Sequence, residues 1–509
     1  MEAAKRVAKN TGILYIRMAI TVFISLYSTR LILAALGVAD FGLLNLVGGV
    51  ISMLGFLNSS MAAATQRFMS FAQGAGDLEK VKRIFNMSSL LHWGIAILVF
   101  LLLEGAGYFF FHGILNIAPD RIEVAKLIYQ FMVISTLFTV ISVPYEAVIT
   151  SHENMLIYAV MGVIEAVLKL GIALYITYSA MGHLVMYGIL MAVLSIVLLI
   201  IKRIYCHWVY DECHLHVKQY YDKSLLKEMG GFAGWSLMGS SSNLISNYGQ
   251  GVILNIFFGP IINAAQTISA QVSGQLSVLS STLVKVINPI IDRSAGRKDL
   301  NKILLLSRLG GKISFFLLLF FYVPVLIEMP YIFKIWLKNV PRYTVIFCRL
   351  LLLRNLIEQI FIPLVSAISA NGNIKKFQIY SSIIVLFPLP ISYLIFSHGL
   401  PSYYLYIVYF FYSIFASCLI LYFAYKYFDL ELIDFIKEVI LRCIGSFLMI
   451  TIISFLPLFI FSEGLFRLIF VFILSSISFI LIIYHLGLNK MERNFGIILA
   501  TDFIRKYKI

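Results

Sequence analysis

The stretch GAGDLEKVKRIF at residues 74–85 is charged and broken by glycine, and a related stretch, GRKDLNKILLL, begins at residue 296. The two align when residue n is set against residue n+222 without a gap. The same offset gives matches in one order: Gly12 with Gly234, Gly37 with Gly259, Gly74 with Gly296, Asp77-Leu78 with Asp299-Leu300, and Lys80 with Lys302. Such ordered self-similarity indicates two copies of one structural unit.

A second pair of segments supports the repeat. VPYEAVITSHENM at 143–155 matches IPLVSAISANGNI at 362–374, which places Pro144 on Pro363 and Asn154 on Asn373. The offset here is 219, so three residues are missing from the second copy. The repeat therefore continues through most of the chain, up to about residue 430.

The composition identifies the solvent in which these copies fold. Of the 509 residues, 60% are hydrophobic and only 13% are charged, and the mean hydropathy is +0.91. So few charged residues could not cover the surface of a soluble domain. The apolar segments run for about 20 residues or more, enough for a helix to cross about 30 Å of hydrocarbon, and they lack the alternation of barrel strands. The sequence predicts an all-α polytopic membrane protein.

We expect fourteen transmembrane helices, arranged as two parallel six-helix bundles plus two extra C-terminal helices. The predicted spans are 11–36, 41–65, 86–112, 122–149, 155–178, 182–205, 232–258, 262–290, 308–328, 343–368, 374–396, 402–425, 439–461 and 464–487. The predicted domains are an N-terminal bundle 1–205, a cytoplasmic linker 206–231, a C-terminal bundle 232–428, the extra helices 429–489 and a cytoplasmic tail 490–509. Six spans is an even number, so both copies share one orientation, as in transporters with a substrate site between parallel repeats.

The distribution of basic residues predicts the orientation. Of the 40 Lys and Arg residues, 28 fall on one predicted side of the membrane and 6 on the other. The positive-inside rule places the first set, both termini and the loops at 74–80 and 296–302 in the cytoplasm. The net charge of +15 is then an orienting signal that also attracts anionic lipid, and not a nucleic-acid footprint.

Three segments carry a resemblance to a known family. LILAALGVADFGLLNLVGGV at 31–50, RFMSFAQGAGDLEKVKRIF at 67–85 and FAGWSLMGSSSN at 232–243 resemble bacterial polysaccharide flippases of the O-antigen type. These belong to the superfamily that also includes lipid II flippases and multidrug and toxin extrusion transporters. The resemblance covers nearly the whole chain and includes the count of fourteen helices.

The resemblance implies a substrate and a location. Such proteins move undecaprenyl-pyrophosphate-linked oligosaccharide from the cytoplasmic to the outer leaflet of the bacterial inner membrane, in the synthesis of O-antigen and lipopolysaccharide. It also implies a monomer that works among membrane lipids, with a polysaccharide polymerase and a chain-length regulator as further candidate partners. We expect no cofactor, coupling to a proton or sodium gradient, and no enzymatic activity.

Basic residues inside the predicted spans are candidates for binding the pyrophosphate. Each costs about 2.5–3.5 kcal/mol at a helix centre, so such residues usually face a cavity or a partner. The candidates are Arg17, Arg30, Lys169, Lys285, Arg349 and Arg354. Two other interpretations stay open: Arg17 and Arg30 could snorkel to headgroups, and Glu165–Lys169 and Arg354–Glu358 could be neutralised i,i+4 pairs. Glu165 and Glu358 are also the candidates for ion coupling.

Polar stripes on the seventh and eighth spans are candidates for binding sugar hydroxyls. The seventh span repeats polar residues at steps of 3 and 4, which is one helical face. The stripe members singled out for substrate binding are Asn243, Asn247, Gln250, Gln271 and Gln275. Hydrogen bonding between helices is the alternative explanation for any one of them.

Other classes of function have weaker support. YCHWVYDECHLH at 205–216 contains two cysteines and three histidines, but its spacing fits no zinc pattern, so we expect no metal site. The predicted outer loops are short, the longest running from about Glu328 to Arg342, and no catalytic constellation occurs in them. A drug exporter of the same fold is the stronger alternative. The six basic groups against three deep acids, Glu104, Glu165 and Glu358, favour an anionic substrate.

Overall fold

The computed structural model describes residues 2–53, 55–111, 121–179, 183–337, 340–490 and 492–493. Every regular element in these ranges is helical. Two compact units are present, one formed by Lys9–Ser240 and the other by Ser241–Ile509 with Met1–Ala8. The predicted domain boundaries at 205 and 232 stay predictions, and the predicted tail 490–509 lies outside the described residues except for 490 and 492–493.

Helices of the first half cover the predicted spans, although the second one, 41–65, is divided between α1 and α2, and α2 continues past its predicted end. They are α1 (Glu2–Met53), α2 (Gly55–Ala75), α3 (Leu78–Phe109), α4 (Ile122–Ser151), α5 (Met155–Tyr178) and α6 (His183–Val209). A 3₁₀ turn at Asp211–Cys213 and the short α7 (Val217–Tyr220) follow. The loop between α2 and α3 is shorter than the sequence predicts. Within the stretch 74–85, only residues 76 and 77 are non-helical.

The second half begins with the long α8 (Lys223–Gly296), whose first residues belong to the N-terminal unit. It continues with α9 (Leu300–Leu337), α10 (Thr344–Ala370), α11 (Lys375–Leu386), α12 (Pro388–Ser397) and α13 (Tyr404–Phe428). The extra C-terminal segment contains α14 (Leu432–Phe435), a π-helical turn, α15 (Leu441–Phe455), α16 (Pro457–Ile460) and α17 (Leu465–Ile482). Among the described residues, ten helices are long and apolar enough to cross a membrane. The chain is an all-α, multi-pass membrane protein.

The backbone confirms the repeat at the positions that the sequence aligns. Gly37 breaks α1 with φ 73° and ψ 172°, and Gly259 breaks α8 with φ 74° and ψ −173°. Asp77 and Asp299 each accept a hydrogen bond from the backbone N–H three residues later, at 2.9 and 3.1 Å. Both therefore cap the N-terminus of the helix that follows. At these aligned positions the two copies thus share a helix kink and a helix cap as well as the residue type.

Glycine is required at the two kinks because their dihedral angles lie in a region that other residues essentially do not adopt. We expect Gly259→Ala to lower the free energy of unfolding by about 1–3 kcal/mol, measured as a lower thermal unfolding midpoint of the purified protein. Gly234→Ala, on the same helix with open space around the added methyl, is the control and removes a glycine from an ordinary helical position. Equal midpoints for the two variants would contradict the strain.

Ion pairs join α9 to the extra C-terminal segment and to Glu492 just beyond it. Arg467 donates from Nε and a terminal nitrogen to both oxygens of Glu328, at 2.8 and 2.9 Å. Lys312 Nζ lies 2.7 Å from Glu492 Oε2. A hydrophobic cluster that includes Leu319, Val439 and Val471 packs between the same helices. The extra segment is therefore an integral part of the C-terminal unit. Glu328, which the sequence places at the start of an outer loop, lies inside α9 and is fully buried.

Candidate functional site

The N-terminal unit contains a cavity of about 310 Å³ between α1 and α5, with one residue from α6. The lining residues of α1 are spaced by three and four positions, so they lie on one face of that helix. The lining residues are Arg17, Thr21, Ile24, Ser25, Ser28, Thr29, Ile32, Gly162, Glu165, Ala166, Lys169 and Tyr187. Two basic groups, one carboxylate and several hydroxyls thus share one cavity.

Arg17 is the cationic group of this cavity that has no carboxylate partner within the described residues. Its guanidinium lies over the ring of Tyr158, with Cζ 4.3 Å from the ring centroid. The guanidinium also lies close to the backbone of Gly162. Because a ring does not take up the directional N–H donors as a carboxylate would, and no acidic group among the described residues pairs with Arg17, its donors are left for a ligand.

Lys169 and Glu165 form an i,i+4 pair on α5, with Nζ 2.7 Å from Oε1. Both side chains are partly exposed and line the cavity. Ser28 adds a buried hydroxyl that has no hydrogen-bond partner among the described residues. The cavity therefore combines a net positive charge with at least one unsatisfied hydroxyl.

The structure separates Arg30 from Arg17. Thirteen residues along a helix of 3.6 residues per turn place Arg30 about 220° around α1 from Arg17. Arg30 is exposed and is not part of the cavity lining. Of the two sequence candidates on α1, the structure brings only Arg17 to the cavity.

In the C-terminal unit, Arg354 forms a second cluster of charged and aromatic groups. Its Nε donates to Glu358 Oε1 at 2.7 Å, and its Cζ lies 5.0 and 5.5 Å from the rings of Tyr409 and Tyr412. Tyr409 in turn shares a 2.7 Å hydrogen bond with Ser246 of α8. The cluster links α8, α10 and α13 within one unit.

Arg349 of α10 donates hydrogen bonds to the backbone of α9 beside a proline. Pro330 lies inside α9, and proline has no N–H to donate to the carbonyl four residues earlier. That carbonyl belongs to Leu326, and Arg349 Nε donates to it at 2.9 Å, while a terminal nitrogen reaches the carbonyl of Ile327 at 3.4 Å. The guanidinium thus satisfies the backbone group that the proline leaves open. Its predicted role in binding substrate stays a prediction.

The polar stripe residues divide between exposed and buried positions. Asn243, Asn247, Gln271 and Gln275 are exposed, and Gln250 is buried. Lys285, near the end of α8, is half-buried. Exposed amides in the middle of a predicted span are typical of a water-accessible surface.

A different face of α8 makes the hydrogen bonds between helices. Asn355 of α10 donates to the hydroxyls of Ser273 and Ser277, and Ser280 donates to Gln359 Oε1 at 2.6 Å. Among the stripe residues, Gln250 shares a hydrogen bond with Tyr409 of α13. Interhelical hydrogen bonding therefore applies to the serine face of α8 and to Gln250.

The cysteine- and histidine-rich segment packs against the ends of α4 and α6. Cys206 and Cys213 are both buried, and their mutual hydrogen bond together with burial raises the pKa of the Cys213 thiol. Burial alone would raise the pKa of Glu212. The hydrogen bond from His152 and nearby positive charge outweigh burial, so the pKa of this carboxyl is lowered. Within the described residues no group of three or more His, Cys, Asp or Glu could hold a metal ion.

Comparison with known proteins addresses the fold. No family model matches the sequence, and no curated protein matches it. A multidrug resistance MATE family transporter of the MOP superfamily in an outward-facing conformation superposes with a TM-score of 0.69 at 13% identity, covering 84% of this chain and 96% of its own. The chain has the fold of the MATE transporters.

Two further structures share this fold. A MATE transporter mutant from Vibrio cholerae has a TM-score of 0.67 at 16% identity and covers 84% of this chain and 97% of its own. A MOP superfamily transporter from Pyrococcus furiosus, described by a binding pocket of reverse polarity that suggests a different function, has a TM-score of 0.67 at 12% identity, with coverages of 83% and 95%. These neighbours are transporters and not enzymes.

Proposed function

We propose that the protein is a transporter that moves undecaprenyl-pyrophosphate-linked oligosaccharide from the cytoplasmic to the outer leaflet of a bacterial inner membrane by alternating access. The observation that carries this proposal is the cavity beside α1 and α5, where Arg17 has no carboxylate partner among the described residues. An unpaired guanidinium in a low-dielectric cavity favours an anion, and phosphate oxygens match its geometry.

The substrate class follows from what each part of the lipid needs. The hydrophilic head cannot cross about 30 Å of hydrocarbon unaided, whereas the isoprenoid tail need not leave it. A cavity of about 310 Å³ is at the small end for ligand pockets. It suits a pyrophosphate with an adjoining sugar, and the hydroxyls on α1 suit the sugar.

Drug export is the second candidate function. It is favoured by the likeness to a multidrug resistance transporter and by Glu165 in the cavity, since a carboxylate attracts organic cations. Fold alone does not decide between substrates. Because Glu165 is paired with Lys169 whereas Arg17 has no acidic partner in the described residues, the charge of the cavity favours the anion.

Coupling to a proton or sodium gradient is part of the proposal, with Glu165 and Glu358 as the coupling groups. Each carboxylate is held 2.7 Å from a basic partner in the structure. A pyrophosphate that attracts Lys169 or Arg354 would weaken its hold on the carboxylate, which then accepts a proton or a sodium ion. Pyrophosphate and carboxylate would thus compete for the same basic group, so that binding of the substrate promotes binding of the ion.

The test uses a defined probe. We expect Arg17→Gln to slow the flipping of a fluorescent undecaprenyl-pyrophosphate-linked disaccharide in proteoliposomes by about tenfold or more, because a charge-assisted hydrogen bond contributes about 1.5–3 kcal/mol and 1.4 kcal/mol is tenfold. Flipping is measured by the fraction of fluorophore that external dithionite reaches. Lys80→Gln removes one positive charge outside the cavity and serves as the matched control.

The outcomes separate the two candidate functions. A flippase flips the lipid probe, loses this activity with Arg17→Gln and keeps it with Lys80→Gln. If the wild-type protein leaves the lipid probe unflipped and instead exports ethidium, the drug-exporter function replaces our proposal. If Arg17→Gln flips the probe at the wild-type rate, the cavity is not the pyrophosphate site.

A further inference from the structure

A larger residue at position 162 would displace the guanidinium of Arg17. A Cβ atom at Gly162 would overlap Nε and a terminal nitrogen of Arg17 and would lie 2.5 Å from Cζ. Atoms bonded to carbon do not approach so closely without displacement. The guanidinium therefore lies directly on the backbone of α5, in space that exists only because residue 162 has no side chain.

A second boundary of this space is the ring of Tyr158, 4.3 Å from the Arg17 Cζ. Tyr158 and Gly162 are four residues apart on α5, so they lie on the same face of the helix one turn from each other. Glu165 and Lys169 continue that face and line the same cavity. We call Tyr158 and Gly162 the arginine slot.

We propose that the arginine slot positions Arg17 for recognition of the pyrophosphate, so that Gly162 determines whether the site binds its anion. The proposal rests on the proposed function, because it assumes that Arg17 contacts the substrate. A guanidinium packed against both a ring and a bare backbone has less rotamer freedom to lose when the ligand arrives, and such preorganisation raises affinity. Gly162 is thus a positioning residue that acts through Arg17.

The slot permits a substitution that displaces the charge without removing it. Gly162→Ala keeps every charged residue of the cavity and adds one methyl group where the guanidinium lies. Gly171→Ala is the matched control, since Gly171 is on the same helix and an added methyl there meets no atom within 4 Å. Both replacements exchange a helical glycine for alanine, which in itself favours the helix.

The experiment is a double-mutant cycle between residues 17 and 162, with two readouts. In proteoliposomes, we expect Gly162→Ala to slow flipping of the fluorescent lipid-linked disaccharide about tenfold or more, as for loss of the Arg17 contact, with Gly171→Ala at the wild-type rate. Adding Gly162→Ala to Arg17→Ala should slow flipping no further. Equal further loss in that background would show that Gly162 acts independently of Arg17 and would overturn the proposal.

The second readout needs no substrate. We expect Gly162→Ala to raise the thermal unfolding midpoint in the Arg17→Ala protein, where the space is free, and to raise it by less when Arg17 is present and has to be displaced. An equal shift in both backgrounds would overturn the slot, whatever the transport result. If the shifts differ but Arg17→Ala flips the probe normally, the slot stands and the proposed function fails.

Discussion

Replacing Glu328 with alanine is expected to lower the free energy of unfolding of the C-terminal unit by about 3–5 kcal/mol, the range for breaking a buried ion pair by removing one partner. Glu328 is 0% exposed and Arg467 is 13% exposed, and two hydrogen bonds join them. Without the carboxylate, the guanidinium would remain between helices with its charge uncompensated. Thermal unfolding of the purified protein measures the loss.

Two controls make the cause of this loss clear. Glu463→Ala removes the carboxylate from an exposed pair with Lys334, 3.8 Å apart on neighbouring segments, and should cost less than about 1 kcal/mol. Replacing both Glu328 and Arg467 with apolar residues of similar volume should recover most of the stability, because no charge is left unpaired. If the double replacement is as unstable as Glu328→Ala, packing and not charge holds the segment.

The architecture could be predicted because it rests on features that are local in sequence. Glycine is needed wherever φ is positive and ψ is near 180°, so the alignment of Gly37 with Gly259 carries a backbone conformation as well as a residue. The aspartates at 77 and 299 cap their helices for a reason that lies three residues away. The predicted span 155–178 coincides with α5, whose first residue follows the N-cap Asn154.

Partners distant in sequence could not be predicted. Glu328 and Arg467 are 139 residues apart, and a lone carboxylate in a falling hydropathy profile is naturally assigned to a loop. Arg349 is similar, because its donors go to a carbonyl that Pro330 leaves open on another helix. A proline inside an apolar run does signal an unsatisfied carbonyl four residues earlier, but the sequence does not say which side chain reaches it.

Part of the candidate site could be predicted from the sequence. The sequence identifies Arg17, Glu165 and Lys169 one by one as costly charges within spans, and the structure places all three in one cavity. The sequence-based prediction does not include Gly162, which carries no charge. The sequence does contain a signal for this residue, because Gly162 precedes Glu165 and Lys169 by 3 and 7 residues and therefore shares their helical face. A small residue on a charged face marks a place where another group comes close to the backbone.

Arg354→Gln is expected to reduce flipping of the fluorescent lipid-linked disaccharide by about tenfold to a hundredfold, for the loss of one charge-assisted contact worth about 1.5–3 kcal/mol. Arg354 uses only Nε to bind Glu358. Its terminal nitrogens make no hydrogen bond within the described part of the chain and are not among the buried unsatisfied atoms. The pair with Glu358 therefore leaves donors available for an anion, in contrast to Arg349.

Loss of transport alone does not distinguish binding from structure, because Arg354→Gln also leaves Glu358 without its partner. The double variant Arg354→Gln with Glu358→Gln removes both charges. We expect it to recover the thermal unfolding midpoint that Arg354→Gln loses, since no unpaired carboxylate remains beside the rings of Tyr409 and Tyr412. We expect it to stay inactive, because the positive charge that attracts the pyrophosphate is still missing. A double variant that recovers both stability and flipping would show that Arg354 serves only to neutralise Glu358, and would leave Arg17 and Lys169 as the groups that hold the anion.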